Sequence, residues 1–134
     1  MGDLMVTELI KKHEGFEGMP YNDSLGFPTI GYGTKLPITE EEAEMLLEYR
    51  LKKMIRELII KEPFFEKLPE DAQKVIADMT YQLGVGGILK FKKMWAALKN
   101  RDYKKAADEM LDSKWAKQTP NRAKELAEIM RSLR

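Results

Sequence analysis

The stretch HEGFEGMPYNDSLGFPTIGYGT, residues 13–34, interrupts a chain that otherwise reads as helix. It holds the single histidine, His13, the acids Glu14 and Asp23 nine positions apart, and five of the nine glycines. Gly18, Pro20, Asn22, Asp23, Ser24 and Gly26 are turn formers, and they lead into Phe27-Pro28-Thr29-Ile30-Gly31-Tyr32-Gly33. The pattern predicts a small antiparallel hairpin, with Asp23 in or beside its turn and Thr29 on the returning strand. Pro28 lacks an N–H and confines that strand to an edge or a bulge.

Helical periodicity surrounds this island. Before it, Asp3 can cap a helix with Leu4, Val6, Leu9 and Ile10 on or near one face and Gly15 as its stop. Glu14 then falls in the last turn, where the negative end of the helix dipole disfavours a charged carboxylate and tends to raise its pKa. After the island, Pro37 breaks the chain and Thr39-Glu40-Glu41-Glu42 forms a capping box. Ala43, Leu46, Leu47, Leu51, Met54, Ile55 and Leu58 then recur at the spacing of one buried helix face. A helix from Glu40 to about Ile60 would be ~30 Å long, enough to join two lobes. A second lobe begins at Pro63. Pro69 opens a helix that Gly84 stops, and Gly86-Gly87 allows a turn before Ile88, Leu89, Phe91, Met94, Trp95 and Leu98. Asp102 caps a short helix with Ala106, Ala107, Met110 and Leu111 inward. Thr119-Pro120 starts the last helix, with Ala123, Leu126, Ala127 and Met130 buried. The fold class is mainly α, with one hairpin, in two lobes. The first runs over about 12–60 and includes the linking helix 40–60. The second covers about 61–134 together with the first helix, 3–14.

Composition narrows the chemistry. The chain has 134 residues, 43% of them hydrophobic and 34% charged, which suits one domain with a solvated surface. No apolar run reaches the ~18 residues of a membrane span, and the N-terminus lacks a signal-peptide pattern, so a soluble cytoplasmic chain is expected. Without cysteine, disulfides and thiolate metal sites are excluded. With one histidine, any metal site would be limited to oxygen ligands, and no cofactor is expected. Net charge is +1, yet residues 90–134 hold 13 Lys/Arg against 6 Asp/Glu. That asymmetry fits either an anionic partner or ordinary solvated helix faces. No nucleic-acid motif accompanies it, and Gly84-Val85-Gly86-Gly87 lacks the Lys-Ser/Thr of a phosphate loop.

Glu14 and Asp23 are carboxyls in unlike surroundings, one at a helix end and one in a turn. Such a pair can divide acid and base roles, as glycoside hydrolysis requires. Spacing alone does not separate it from a surface Glu and a turn-forming Asp. Arg122 is a second oddity: a cation in the first turn of the last helix faces the positive end of the dipole, which an anionic partner would offset.

Taken together, these residues match one pattern. Glu14-Gly15, Tyr21-x-Asp23, Gly26 and Thr29-Ile30-Gly31-Tyr32-Gly33 resemble the catalytic signature of phage lysozymes of the T-even type, glycoside hydrolase family 24. Tyr81-Gln82-Leu83-Gly84 and Trp115-x-x-Gln118-Thr119-Pro120-Asn121-Arg122-Ala123-Lys124 resemble that family's second lobe. The resemblance implies a single lysozyme-like domain over 1–134 that cleaves the N-acetylmuramic acid to N-acetylglucosamine β-1,4 bond of peptidoglycan with inversion. Glu14 would be the general acid, and Asp23 with the Thr29 hydroxyl would position the attacking water. Arg122 would lie against Glu14, while Gln82, Tyr32 and Trp115 would line the saccharide cleft. The partner implied is peptidoglycan, without nucleic acid or stable membrane insertion, for a monomer held in the host cytoplasm before lysis. A lytic transglycosylase would need the acid but not the water-binding pair, and a non-catalytic wall-binding module would need neither. Two departures stand out. Thr34 occupies a position that is often His, with a consequence expected for stability rather than catalysis. Only Lys35 to Ile38 separate the hairpin from the capping box, which predicts a smaller first lobe and a more open cleft.

Overall fold

The computed structural model describes residues 3–134, with side chains from Val6 onward, so the capping role of Asp3 and the packing of Leu4 lie outside the described residues. The chain forms two compact units, Met1–Leu46 and Leu47–Arg134.

The first unit opens with α1 (Asp3–Glu14). Gly15 ends it in a left-handed conformation (φ +70°), and the Gly15 N–H caps the Lys11 carbonyl at 2.9 Å. Three antiparallel strands follow in the order β1 (Glu17–Asn22), β2 (Pro28–Gly31) and β3 (Thr34–Lys35). The expected hairpin is β1–β2, with Asp23 at its turn, while β3 is a strand that the sequence pattern does not announce. Its presence corrects the placement of β2, which is the central strand rather than an edge. Pro28 is tolerated because it is the first residue of the strand and contributes its carbonyl, which accepts the Leu36 N–H at 2.9 Å. Register pairs Tyr21 with Thr29 and Thr29 with Lys35.

α1 groups with this sheet, whereas the sequence reading assigned it to the second lobe. The local contacts give the reason. Glu14 packs on Gly33, and the Lys11 ammonium stands 5.5 Å from the centre of the Tyr32 ring.

α2 (Glu40–Lys61) passes from the first unit into the second. Its capping box is formed in both directions: Thr39 N–H donates to Glu42 Oε1 at 2.8 Å, and Glu42 N–H to Thr39 Oγ1 at 3.1 Å. The expected buried stripe is only partly realised. Leu46 and Leu47 are exposed, Leu51, Met54 and Ile55 are half-buried, and Leu58 alone is fully buried. Ala43 and Leu46, at the start of the stripe, belong to a unit of 46 residues that is too small to enclose them.

The second unit holds a 3₁₀ turn (Pro63–Lys67), α3 (Glu70–Leu89), α4 (Lys92–Lys99), α5 (Tyr103–Leu111), α6 (Lys114–Gln118) and α7 (Pro120–Arg131). Its core contains Val75, Ile76, Met79, Ile88, Met94, Leu98, Met110 and Met130, all without exposed surface. Gly84 breaks α3 as expected (φ +80°, ψ +165°), but the helix resumes at once. Gly86 and Gly87 are therefore helical, and the turn comes instead at Lys90–Phe91. A Cβ at Gly87 would stand 2.9 Å from that of Leu83.

Asp102 caps α5 through the Lys105 N–H at 3.1 Å, and Leu111 is 38% exposed rather than inward. Thr119 precedes α7 but does not cap it with its side chain. Its hydroxyl donates instead to the Trp115 carbonyl at 3.0 Å, tying α7 to the unannounced α6. No helix among the described residues is long and apolar enough to cross a membrane.

Candidate active site

Four of the sequence-derived site residues, Glu14, Asp23, Thr29 and Tyr32, lie in the first unit. Glu14 is the last residue of α1 and is exposed. A Cβ at residue 33 would fall 2.6 Å from both Cδ and Oε1 of Glu14, so the carboxyl rests directly on the Gly33 backbone. Gly33 also has φ +75°, a conformation that favours glycine. The turn joining β2 to β3 is thus shaped to receive the acid at the end of α1.

Asp23 sits in a tight turn closed by Gly26 N–H to Asp23 O and by Asp23 N–H to Phe27 O, both at 2.9 Å. Its Oδ1 accepts two backbone donors, Leu25 N–H at 2.9 Å and Phe27 N–H at 2.8 Å. Its Oδ2 accepts from the Lys35 ammonium. Lys35 first, and then the Phe27 amide, hold the Asp23 carboxyl below the usual carboxylate range against a smaller opposing effect of burial. The side chain is only 15% exposed, so the turn presents a fixed anion.

Thr29 is fully buried, and its hydroxyl donates to the Phe27 carbonyl at 2.8 Å. Its only proton is thus committed, and toward any further group Oγ1 is an acceptor. Phe27 supplies both sides of this arrangement, its N–H to Asp23 and its carbonyl to Thr29. Tyr32, 43% exposed, is held between the Phe16 ring, with centroids 5.6 Å apart, and the Lys11 ammonium.

The other three residues belong to the second unit. Gln82 Oε1 accepts the indole N–H of Trp115 at 2.8 Å, which fixes the orientation of the exposed amide. Trp115 is itself buried, edge-on to Phe91. It lies under a groove of about 520 Å³ that Leu83, Phe91, Lys92, Lys114 and Gln118 also line. Arg122 is paired with Asp78 of α3. Its Nε and Nη2 approach Asp78 Oδ1 at 2.8 Å and 2.6 Å.

The sequence reading missed Lys35, Gly33 and Asp78 as partners of site residues. A signal for Lys35 was present. Gly31-Tyr32-Gly33 is a turn centred on Tyr32, and reflecting Thr29 across it gives position 35.

Comparisons with known proteins place the chain in a family. The family model described as phage lysozyme matches residues 11–131. The pre-baseplate central spike protein Gp5 of Enterobacteria phage T4 is 29% identical over 96% of the chain, which spans only 28% of that protein. Probable T4-type lysozyme 1 of Dictyostelium discoideum is 26% identical over 93% of the chain and 92% of its own length. Probable T4-type lysozyme 2 of the same organism is 28% identical over 48% of the chain and 38% of its own length.

Proposed function

The chain belongs to the phage lysozyme family, and we propose that it is an endolysin-type muramidase, hydrolysing the N-acetylmuramic acid to N-acetylglucosamine β-1,4 bond of peptidoglycan with inversion. The observation that carries this reading is the pairing, within one small unit, of an exposed carboxyl at a helix end with a carboxylate held as an anion. The two carboxyl groups differ in what they can do. Asp23, with amide and ammonium donors on its oxygens, stays ionised and can orient a water and take its proton. Among the described residues Glu14 makes no comparable set of bonds, which supports its part as the donor of a proton to the glycosidic oxygen as that bond breaks.

In the reaction, the water oxygen attacks the anomeric carbon and its proton passes to Asp23. The Glu14 proton passes to the departing sugar oxygen, so one proton enters the product as another is taken up. Thr29 Oγ1 meets the water as an acceptor. Because Thr29 has no accessible surface in the free protein, a neighbour on the same sheet face must shift before it does so. A water that donates one proton to Asp23 and one to Thr29 turns its lone pair outward, toward the carbon. Tyr32, Gln82, Trp115 and Arg122 contact the saccharide: Tyr32 and Gln82 are exposed and oriented by neighbours, and Trp115 underlies the groove. In this reading the protein works as a monomer on periplasmic wall and stays in the host cytoplasm until the membrane is breached.

Glu14→Gln is the direct test. It removes the proton donor and keeps the shape, and general acid catalysis contributes roughly 10²- to 10⁴-fold. Release of reducing ends from purified sacculi should fall by that order, and the parent's first product should be the inverted anomer by NMR. Parental activity in the variant, or anhydro-muramyl products from the parent, would overturn the mechanism.

A further inference from the structure

Lys35 is not among the site residues that the sequence singles out, yet it is bonded to one of the two carboxyl groups. The sheet register explains how. Tyr21 of β1 lies opposite Thr29 of β2, and Thr29 lies opposite Lys35 of β3. Directly opposed residues of antiparallel strands place their side chains on the same face, so the three form one row across the sheet. From this row the Lys35 ammonium reaches Asp23 Oδ2. A carboxylate offers about four lone-pair positions. The Leu25 and Phe27 amides use both positions on Oδ1, and Lys35 uses one on Oδ2.

We infer that Lys35 is a positioning residue for hydrolysis, whose ammonium fixes the Asp23 carboxylate and leaves one acceptor position, on Oδ2, for the attacking water. The inference rests on the reading of Asp23 as the group that holds that water. Without Lys35 both positions on Oδ2 are open, and the carboxylate keeps only its contacts with the turn.

The charges around the pair act in the same sense. Lys35 is the largest cause that holds Asp23 below the usual carboxylate range, with the Phe27 and Leu25 amides adding to it and burial opposing. The Lys35 ammonium is itself held above the usual lysine range. Its bond to Asp23 comes first, burial opposes, and the charges of Asp23, of Glu14 from α1 and of Tyr21 from β1 contribute. Thr29, between them on β2, adds no charge. The ammonium therefore stays protonated wherever the enzyme works, and Asp23 stays an anion further into acid than it would alone. The acid limb of kcat/KM, which reports the groups of the free enzyme, should then depend on a residue that never touches the sugar.

The test combines kinetics with titration. kcat/KM on purified sacculi is followed against pH for the parent, Lys35→Arg, Lys35→Met and Asp23→Asn, and the Asp23 side-chain carboxyl is titrated by ¹³C NMR in the first three. In Lys35→Met the Asp23 midpoint should rise toward the usual carboxylate range. The acid limb should move up by the same amount, about tenfold in rate for each pH unit below the new midpoint. Lys35→Arg keeps the cation and should restore both. Asp23→Asn should be inactive at every pH. If Asp23→Asn is inactive while Lys35→Met leaves the midpoint or the acid limb unmoved, the inference fails and the reading of Asp23 stands. Parental activity in Asp23→Asn brings down the reading of Asp23, and the inference with it.

Discussion

At the scale of single residues, Gly33 is held by two independent constraints. Its backbone is left-handed, and the Glu14 carboxyl occupies the space that a side chain would need. Gly33→Ala should cost about 1 kcal/mol for the backbone conformation alone. It should also push the proposed acid off its position, lowering kcat/KM by roughly 10²-fold, as misplacements of about 1 Å can do. Thermal melts and kinetics on sacculi separate the two effects. A folded variant with parental kcat/KM would show that Glu14 is not placed by this contact. The Asp23–Lys35 pair should also mark the stability profile. Asp23 is depressed in the folded protein, so its contribution is present above the usual carboxylate range and fades as pH falls through the depressed folded value. Lys35 is raised, so its contribution is present below the usual lysine range and lost as pH rises through the raised folded value. Lys35→Met should therefore flatten the acid limb of the denaturation midpoint. Glu14, Asp23 and Thr29 could be picked out from the sequence because a short signature contains them. For Lys35 the Gly31-Tyr32-Gly33 turn offers a signal of its place in the register, but its bond to Asp23, like the contact of Glu14 with Gly33, comes from tertiary placement.

At the scale of elements, local rules hold where bonding is local. The capping box at Thr39 is readable from four residues and is bonded reciprocally. Thr39→Ala should lower stability by about 1 kcal/mol in denaturant titrations, with Thr39→Ser retaining most of it. Asp102 behaves likewise. Thr119 looks equally suited to cap α7, yet its hydroxyl turns back to the Trp115 carbonyl, which already accepts the Thr119 N–H at the end of α6. Pro28 gives the same lesson from the opposite side. The missing N–H restricts where a strand may pair, but it leaves the carbonyl free, and β3 uses that carbonyl to make β2 central. Gly84 does break its helix, but the chain continues helically beyond it, because glycine there permits a non-helical residue without requiring a loop.

At the scale of the molecule, burial is uneven. Every fully buried hydrophobic residue among those described lies between Leu58 and Met130, in the second unit, while Phe16, Met19, Leu25 and Phe27 in the first are more than half exposed. Local opening follows from a lack of buried apolar contact. Native-state hydrogen exchange should therefore find the most protected amides in α3, α5 and α7 and much faster exchange across β1–β3. Equal protection in the sheet would contradict this. Met79→Ala, which empties a fully buried position in α3, should cost about 2–5 kcal/mol.

The mainly α class, the hairpin, most helix limits, the core of the second unit and the three-residue signature that resembles a lysozyme can all be read along the chain. These are written in spacings of two to nine residues, which backbone geometry converts directly into a face, a cap or a turn. The folded chain adds that β2 is central, that α1 groups with the sheet, that Arg122 is held by Asp78, and that Lys35 holds Asp23. The last two pairs join residues 44 and 12 positions apart. At the larger separation helix packing chooses the partner and no local spacing encodes it; at the smaller one the turn gives the register, and the fold gives the bond.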